Sequence, residues 1–213
     1  MKISRFIVNP FGVNTYIMWD SESREAAIID PGMTDDAEIK AVDSFIEREH
    51  LKPVHLINTH MHLDHIFSNL YIKDKYGLDI KAHMADDFLG QSLEDQIGRF
   101  HIPVRAKNHG LDIELHDGER LYLGKEPIDV ICVPGHSPGS IALYCPESKF
   151  VVTGDALFKG SIGRTDLPKG DFTTLVNSIR DRLLTLPADT AILPGHGPET
   201  TVGYERTSNP YVG

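Results

Sequence analysis

THMHLDH, residues 59–65, places three histidines and an aspartate within six positions, directly after the apolar run VHLIN at 54–58. Imidazole and carboxylate side chains suit Zn(II), and also Fe or Mn. His60 and His62 stand two apart, so on extended backbone they point the same way and can chelate one ion. Asp64 and His65 fall where a helical pattern begins, which lets their side chains turn toward a second ion beside the first.

Three further apolar runs end in the same manner. IDVICVPGH stops at His136, FVVTGD at Asp155 and TAILPGH at His196. Each stops at Gly or Pro-Gly and then presents His or Asp as its first polar side chain. One such ending means little; four direct the C-terminal ends of four strands to one rim, where loops on a rigid scaffold carry chemistry. The set is then His60, His62, Asp64, His65, His136, Asp155 and His196. Seven ligands exceed the needs of one tetrahedral ion and suit two divalent ions that share a carboxylate and a water. A closed structural zinc site would favour four ligands rich in cysteine, and neither Cys132 nor Cys145 is near the cluster in sequence. The isolated His50, His55, His83, His101, His109 and His116 are expected to be surface or packing residues.

The whole chain bounds what such a site can serve. Its 213 residues suit one domain spanning 1–213. With 40% hydrophobic and 24% charged residues it has the balance of an ordinary globular protein. A net charge of −10 and the lack of any basic run exclude a nucleic-acid partner, because phosphate backbones are bound by clustered Lys and Arg. The N-terminus, MKISRFIVNPFGVNTYIMWD, alternates apolar and polar residues and reads as strand rather than as a signal peptide. No apolar stretch reaches the roughly 18 residues of a membrane span. The expected location is the cytoplasm, with no membrane partner and with Cys132 and Cys145 as thiols rather than a disulfide.

Strands are expected over KISRFIV, NTYIMWD and EAAIID, then VHLIN, DIKAH, RLYL, IDVICV, SIALYC, KFVVTG and TAILPG. Helices are expected over 34–50, 65–77, 85–100 and 171–186, where Leu175, Ile179 and Leu183 fall in register. Residues 101–118 are weakly patterned and expected as surface loop, and the tail from Glu199 to Gly213 as irregular. Both halves run strands first and a helix later, which suits two packed sheets with helices outside.

THMHLDH, with PGH at 134–136, GD at 154–155 and PGH at 194–196, resembles the metallo-β-lactamase superfamily in order and spacing over nearly the whole chain. The resemblance implies an α/β fold, a four-layer αββα sandwich with the site at one edge of the two sheets. It implies His60, His62 and His136 on one ion, Asp64, His65 and His196 on the other, and Asp155 bridging. GDALFKGSIGRTDL (154–167) and the tail PGHGPETTVGYERTSNP (194–210) resemble the glyoxalase II, or hydroxyacylglutathione hydrolase-like, branch. That branch carries a C-terminal helical region supplying basic residues for glutathione, and the sequence is read as lacking it.

These features imply a metal-dependent hydrolase, with a metal-bridging hydroxide attacking an acyl thioester and with Asp64 and Asp155 at the reacting centre. Arg164 is a candidate grip for an anionic substrate, and Asp166 a candidate to orient a ligand histidine; a local Arg164–Asp166 ion pair is the equal alternative. Phe158 and Lys159 are candidates for lining the pocket, while Tyr204, Glu205 and Arg206 are expected only to anchor the tail. The competing readings are a persulfide dioxygenase with one iron, whose family is similar down to the GRTD stretch, and a non-catalytic metal-binding scaffold. A nuclease is disfavoured by charge, and a β-lactamase by the missing export signal.

Overall fold

A computed structural model describes all residues, Met1–Gly213. Fourteen strands and seven α-helices alternate along the chain. The first sheet takes β1 (Lys2–Val8), β2 (Val13–Trp19), β3 (Glu25–Ile29), β4 (Lys52–Ile57), β5 (Ile80–Ala82) and β6 (Ile113–Glu114), side by side in that order. β1 to β3 pair antiparallel, and β3 to β6 parallel. The parallel crossovers carry α1 (Asp36–Arg48) between β3 and β4, and α2 (Leu63–Ile66) and α3 (Asn69–Tyr76) between β4 and β5. After β5 come α4 (Asp87–Gln91) and α5 (Leu93–Arg99).

The second sheet uses β7 (Arg120–Leu123), β8 (Glu126–Cys132), β9 (Ile141–Cys145), β10 (Phe150–Gly154), β13 (Ala191–Pro194) and β14 (Thr200–Thr201). Their spatial order is β14-β13-β10-β9-β8-β7, with only β10 and β13 parallel. β11 (Leu157–Phe158) and β12 (Ser161–Ile162) form a separate small hairpin. α6 (Phe172–Ser178) and α7 (Val202–Ser208) complete the chain.

Strand alternation makes the layers. In β2, Tyr16 and Met18 face the second sheet, whose Ile128, Val130, Leu143 and Val152 meet them in one buried cluster. The intervening Ile17 and Trp19 face the other way, against Val42 and Ile46 of α1 and Ile72 of α3. The far face of the second sheet packs Ala142, Val151 and Ile192 against Leu175 and Val176 of α6 and Val202 of α7. Helix, sheet, sheet and helix give the expected four-layer αββα sandwich. No helix is long and apolar enough to cross a membrane. Cys132 and Cys145 are both free, and burial pushes the Cys145 thiol up to about 12.

Several expected boundaries move. The single helix expected over 65–77 is broken at Phe67–Ser68, because Ser68 donates its N–H to Pro31 O instead of one turn back, while the Asn9 amide takes Asp64 O. The helix expected over 85–100 divides at Ser92, whose hydroxyl bonds Phe88 O. The helix expected over 171–186 becomes α6 followed by a wider π turn, Ile179–Leu183. Residues 101–118 are not all loop, since Ile113–Glu114 adds the last strand to the first sheet. The tail is not irregular: Thr201 caps α7 by accepting from Tyr204 N, and the inward residues of that helix are the buried Val202 and Glu205.

Candidate metal centre

The C-terminal ends of β4, β8, β10 and β13 meet at one rim between the sheets. His60 and His62 follow β4, Asp64 and His65 sit in α2, His136 follows β8, Asp155 follows β10 and His196 follows β13. The seam is stitched beside them: Asn14 N donates to Gly195 O at 2.7 Å, Tyr16 OH to Pro194 O at 2.8 Å, and Ile141 N to Thr59 O at 2.8 Å. Val13 also forms a β-bridge with His196. The first sheet's own second strand therefore fixes the last of the seven side chains.

The seven fall into two groups that share a neighbour. His60, His62 and His136 bring their ligand atoms within 4.8 Å of one another, and so do Asp64, His65 and His196. Asp155 lies between the groups: Oδ1 is 3.4 Å from His65 Nε2, while Oδ2 is 3.5 Å from His196 Nε2 and 3.7 Å from His136 Nε2. His62 Nδ1 and His136 Nε2 face each other at 2.8 Å. Asp64 Oδ2 stands 3.4 Å from His196 Nε2.

Behind this ring, a second ring of oxygens sets the imidazoles. His65 Nδ1 meets Asp30 Oδ2 at 3.1 Å, His136 Nδ1 meets Arg164 O at 2.7 Å, and His196 Nδ1 meets Phe11 O at 3.1 Å. His60 Nδ1 meets Thr59 Oγ1 at 3.1 Å, and that hydroxyl donates onward to Asp30 Oδ2 at 2.6 Å. Partners of this kind fix the proton on Nδ1 and leave the Nε2 lone pair pointing inward. Inward atoms are left with nothing to bond: Nε2 of His60 and of His65 and Oδ1 of Asp155 are buried without a partner, while His62 turns its Nδ1 inward, against His136 Nε2. Such orphaned atoms are costly unless an ion completes them, so the residues present fit bound divalent metal. Asp30, His60 and His65 also lie close together, but Asp30 is already committed to Thr59 N, Thr59 Oγ1 and His65.

Electrostatics divide the cluster. Burial, with the neighbouring histidines, holds His60 far below its ordinary value, and burial and His136 bring His62 down to about 3. Both are thus neutral imidazoles, the form that ligates metal. Burial works against charge on Asp155 and His65 as well, yet their mutual attraction shifts Asp155 below the usual carboxylate range and His65 above that of histidine. A divalent ion between them would take the place of the proton on His65 Nε2.

Sequence reasoning missed two buried acids that build this geometry. Asp30 ends EAAIID, a fifth apolar strand that stops at an acid, and the same rule applied to it would have found it. Asp86 left no such signal. It accepts from Met61 N at 3.2 Å and Ser137 Oγ at 2.6 Å through Oδ2, and from Gly139 N at 2.6 Å through Oδ1. One carboxylate thereby ties the HMH turn to the loop after His136.

The remaining candidates separate. Arg164 and Asp166 form the local ion pair, with bonds of 2.6 and 2.7 Å between two exposed side chains. Asp166 orients no histidine; the backbone carbonyl of Arg164 does. Phe158 has its ring 6.2 Å from that of His196. Neither Phe158 nor Lys159 lines the cavity over the centre, because β11 turns them aside into the small hairpin. Tyr204 is exposed, whereas Glu205 holds Gly160 N and Thr200 Oγ1, and Arg206 holds Leu184 O and Leu186 O, so the last two anchor the tail.

The family model "Metallo-beta-lactamase superfamily" matches residues 8–196. The chain belongs to that superfamily. It is 40% identical to the hydroxyacylglutathione hydrolase GloC of Haemophilus influenzae, over 100% of this chain and 98% of that protein. Among solved structures, it is similar to the B3 metallo-beta-lactamase BLEG-1, with a TM-score of 0.88, 33% identity and 99% of each chain covered. It is similar also to TTHA1623 in a di-iron-bound form, with a TM-score of 0.85, 33% identity and coverage of 98% of this chain and 99% of that one. Superfamily membership makes this chain a metallo-hydrolase, with His and Asp groups suited to divalent metal.

Proposed function

We propose that this protein is a binuclear metal-dependent hydrolase of acyl thioesters. The observation that carries the reading is the pair of three-residue groups on either side of Asp155, with Nε2 of His60 and His65 and Oδ1 of Asp155 buried and unpartnered among them. His60, His62 and His136 would hold one ion, Asp64, His65 and His196 the other, and Asp155 would touch both. Two divalent ions, when bound, supply an activated water and an electrophile for a carbonyl oxygen. Zn(II) suits this N/O set, as do Fe and Mn; likeness to a di-iron-bound structure supports iron as a contender.

The leaving group follows from what the protein lacks. A thiolate, with a conjugate acid near pKa 8.5, departs without a proton, whereas an amine must be protonated as it leaves. Every His and Asp of the four motifs is committed to the centre, and Asp95, the other carboxylate lining the cavity, is exposed. Asp64 is the one side chain placed to pass a proton. A thioester is therefore expected to turn over at least ~100-fold faster than the amide of the same acyl group. Measured kcat/KM for such a matched pair checks this, and equal rates would overturn it. Likeness to a B3 metallo-beta-lactamase makes a β-lactam the sharpest competing substrate to set beside that pair. Metal analysis of replete protein is expected to give about two ions per chain; one iron with oxygen uptake on a persulfide would replace the hydrolase with a dioxygenase.

A further inference from the structure

The cavity over the centre encloses about 1040 Å³, at the upper end of the roughly 300–1,000 Å³ of small-molecule sites. A short acyl group occupies only a fraction of that space. The rest is walled by α4, α5 and the 164–168 loop, and its chemistry is two-sided. Phe11, Phe88, Phe100, Ile102 and Leu167 make it apolar, and Phe11 and Phe100 are 47% and 55% exposed, which leaves aromatic surface with nothing covering it. Ser92, the residue that begins α5, and Asp95, Gln96 and Arg99 along it all line the same cavity. Their spacing of three, four and seven residues puts them on one helical face. The opposite face, Leu93 and Ile97, packs with Met61 and Leu63 beneath the metal loops. The polar face of α5 is thereby turned to the cavity.

Most of that polar surface is already engaged. Gln96 donates to Leu89 O at 2.8 Å, and the Ser92 hydroxyl donates to Phe88 O at 2.8 Å. Of the two arginines in the wall, Arg164 is held by both oxygens of Asp166. Arg99 has no carboxylate partner. An unpaired guanidinium beside exposed aromatic surface fits a ligand with an apolar body and an anionic end.

We propose that the α5 wall is the subsite for the thiol carrier of the substrate, and that Arg99 pairs there with a carboxylate or phosphate on that carrier. The proposal rests on the thioesterase reading above. It assigns specificity to a residue remote in sequence from every metal motif, and it replaces Arg164 as the substrate's cation.

The test uses metal-replete protein and thioesters of one acyl group on four carriers: glutathione and its diethyl ester, 4′-phosphopantetheine and pantetheine. Each pair differs only in masked or missing anionic charge. Wild type is expected to favour the charged member of one pair in kcat/KM, and the pair in which it does so tells carboxylate from phosphate. Arg99→Gln is expected to reduce that preference by about tenfold or more, chiefly through KM, the worth of a charge-assisted hydrogen bond; Arg99→Lys is expected to keep part of it. A wild type indifferent to charge in both pairs, or an Arg99→Gln protein with the preference intact, overturns the proposal. If no thioester is turned over, the thioesterase reading falls by itself. Equilibrium binding of inert S-alkyl analogues of the same four carriers then decides the subsite, by the same charged-versus-masked contrast in wild type and Arg99→Gln.

Discussion

Asp86 is completely buried, and burial raises its carboxyl above the ordinary value even as three donors converge on it. Replacing it by alanine strands Met61 N–H, Ser137 O–H and Gly139 N–H, each at about 1–3 kcal/mol if no water intrudes. Because those donors belong to the two loops that carry His60, His62 and His136, Asp86→Ala is expected to weaken retention of the first ion by about 10–100-fold. Competition with a chromophoric chelator measures this, and Asp86→Asn, which keeps one acceptor oxygen, should fall between. Gly195 makes a second residue-scale test. A Cβ there would overlap Asp155 Oδ1 and come within 2.9 Å of His65 Cε1. Gly195→Ala is expected to release the ion proposed to sit on Asp64, His65 and His196 while far-UV circular dichroism stays unchanged. The ligands were legible because each is the first polar side chain after an apolar run. Asp86 was not, since its partners Met61 and Ser137 lie 25 and 51 residues away and only the folded chain brings them together.

Between elements, polar contacts decide what apolar periodicity leaves open. Asp43 of α1 accepts from Tyr71 OH at 2.5 Å and Tyr76 OH at 2.8 Å and pairs with Lys75 at 2.5 Å, all on α3. Burial works against its ionised form, but these three partners hold its carboxyl below the ordinary 3.8. A depressed folded-state value means stability that is present above pH 3.8 and lost as pH falls through the folded value. Asp43→Asn is therefore expected to cost about 1–3 kcal/mol at pH 7, with the difference from wild type shrinking below about pH 4. Urea unfolding at the two pH values checks it. The same kind of contact hid α7 from sequence reading. One turn after the buried Val202 its inward position is taken by Glu205, whose carboxylate serves Gly160 N, Thr200 Oγ1 and Asn209 Nδ2, so the helix shows no apolar repeat. The break between α2 and α3 was equally unreadable, because Ser68 takes its partner from Pro31 in a distant loop.

At the scale of the whole molecule, the centre spans the seam between the two sheets. The alternation of apolar runs made two layers legible, but not the order β14-β13-β10-β9-β8-β7, in which β13 lies between β10 and the short β14. On the binuclear reading, ions seated at that seam would bind only when both halves are in place. Each should therefore stabilise the folded state by about 4 kcal/mol at a thousandfold excess over its Kd. Thermal unfolding with and without a chelator is expected to show a lower Tm for the stripped protein, and identical midpoints would mean that no ion bridges the halves.

The β-bridge between Val13 and His196 has a further consequence in time. A nascent chain exposes His60, His62, Asp64 and His65 first, yet His196 emerges only 131 residues after His65. At about 5–20 residues per second, the interval from His65 to His196 lasts roughly 7–26 s. During it, the early strand β2 waits with its edge at Val13 uncovered, and a captured ion has an incomplete set of ligands. The finished centre is thus a late product of synthesis, and a ribosome stalled before Gly195 would hold a chain with nearly all of its ligands and no second ring complete around them.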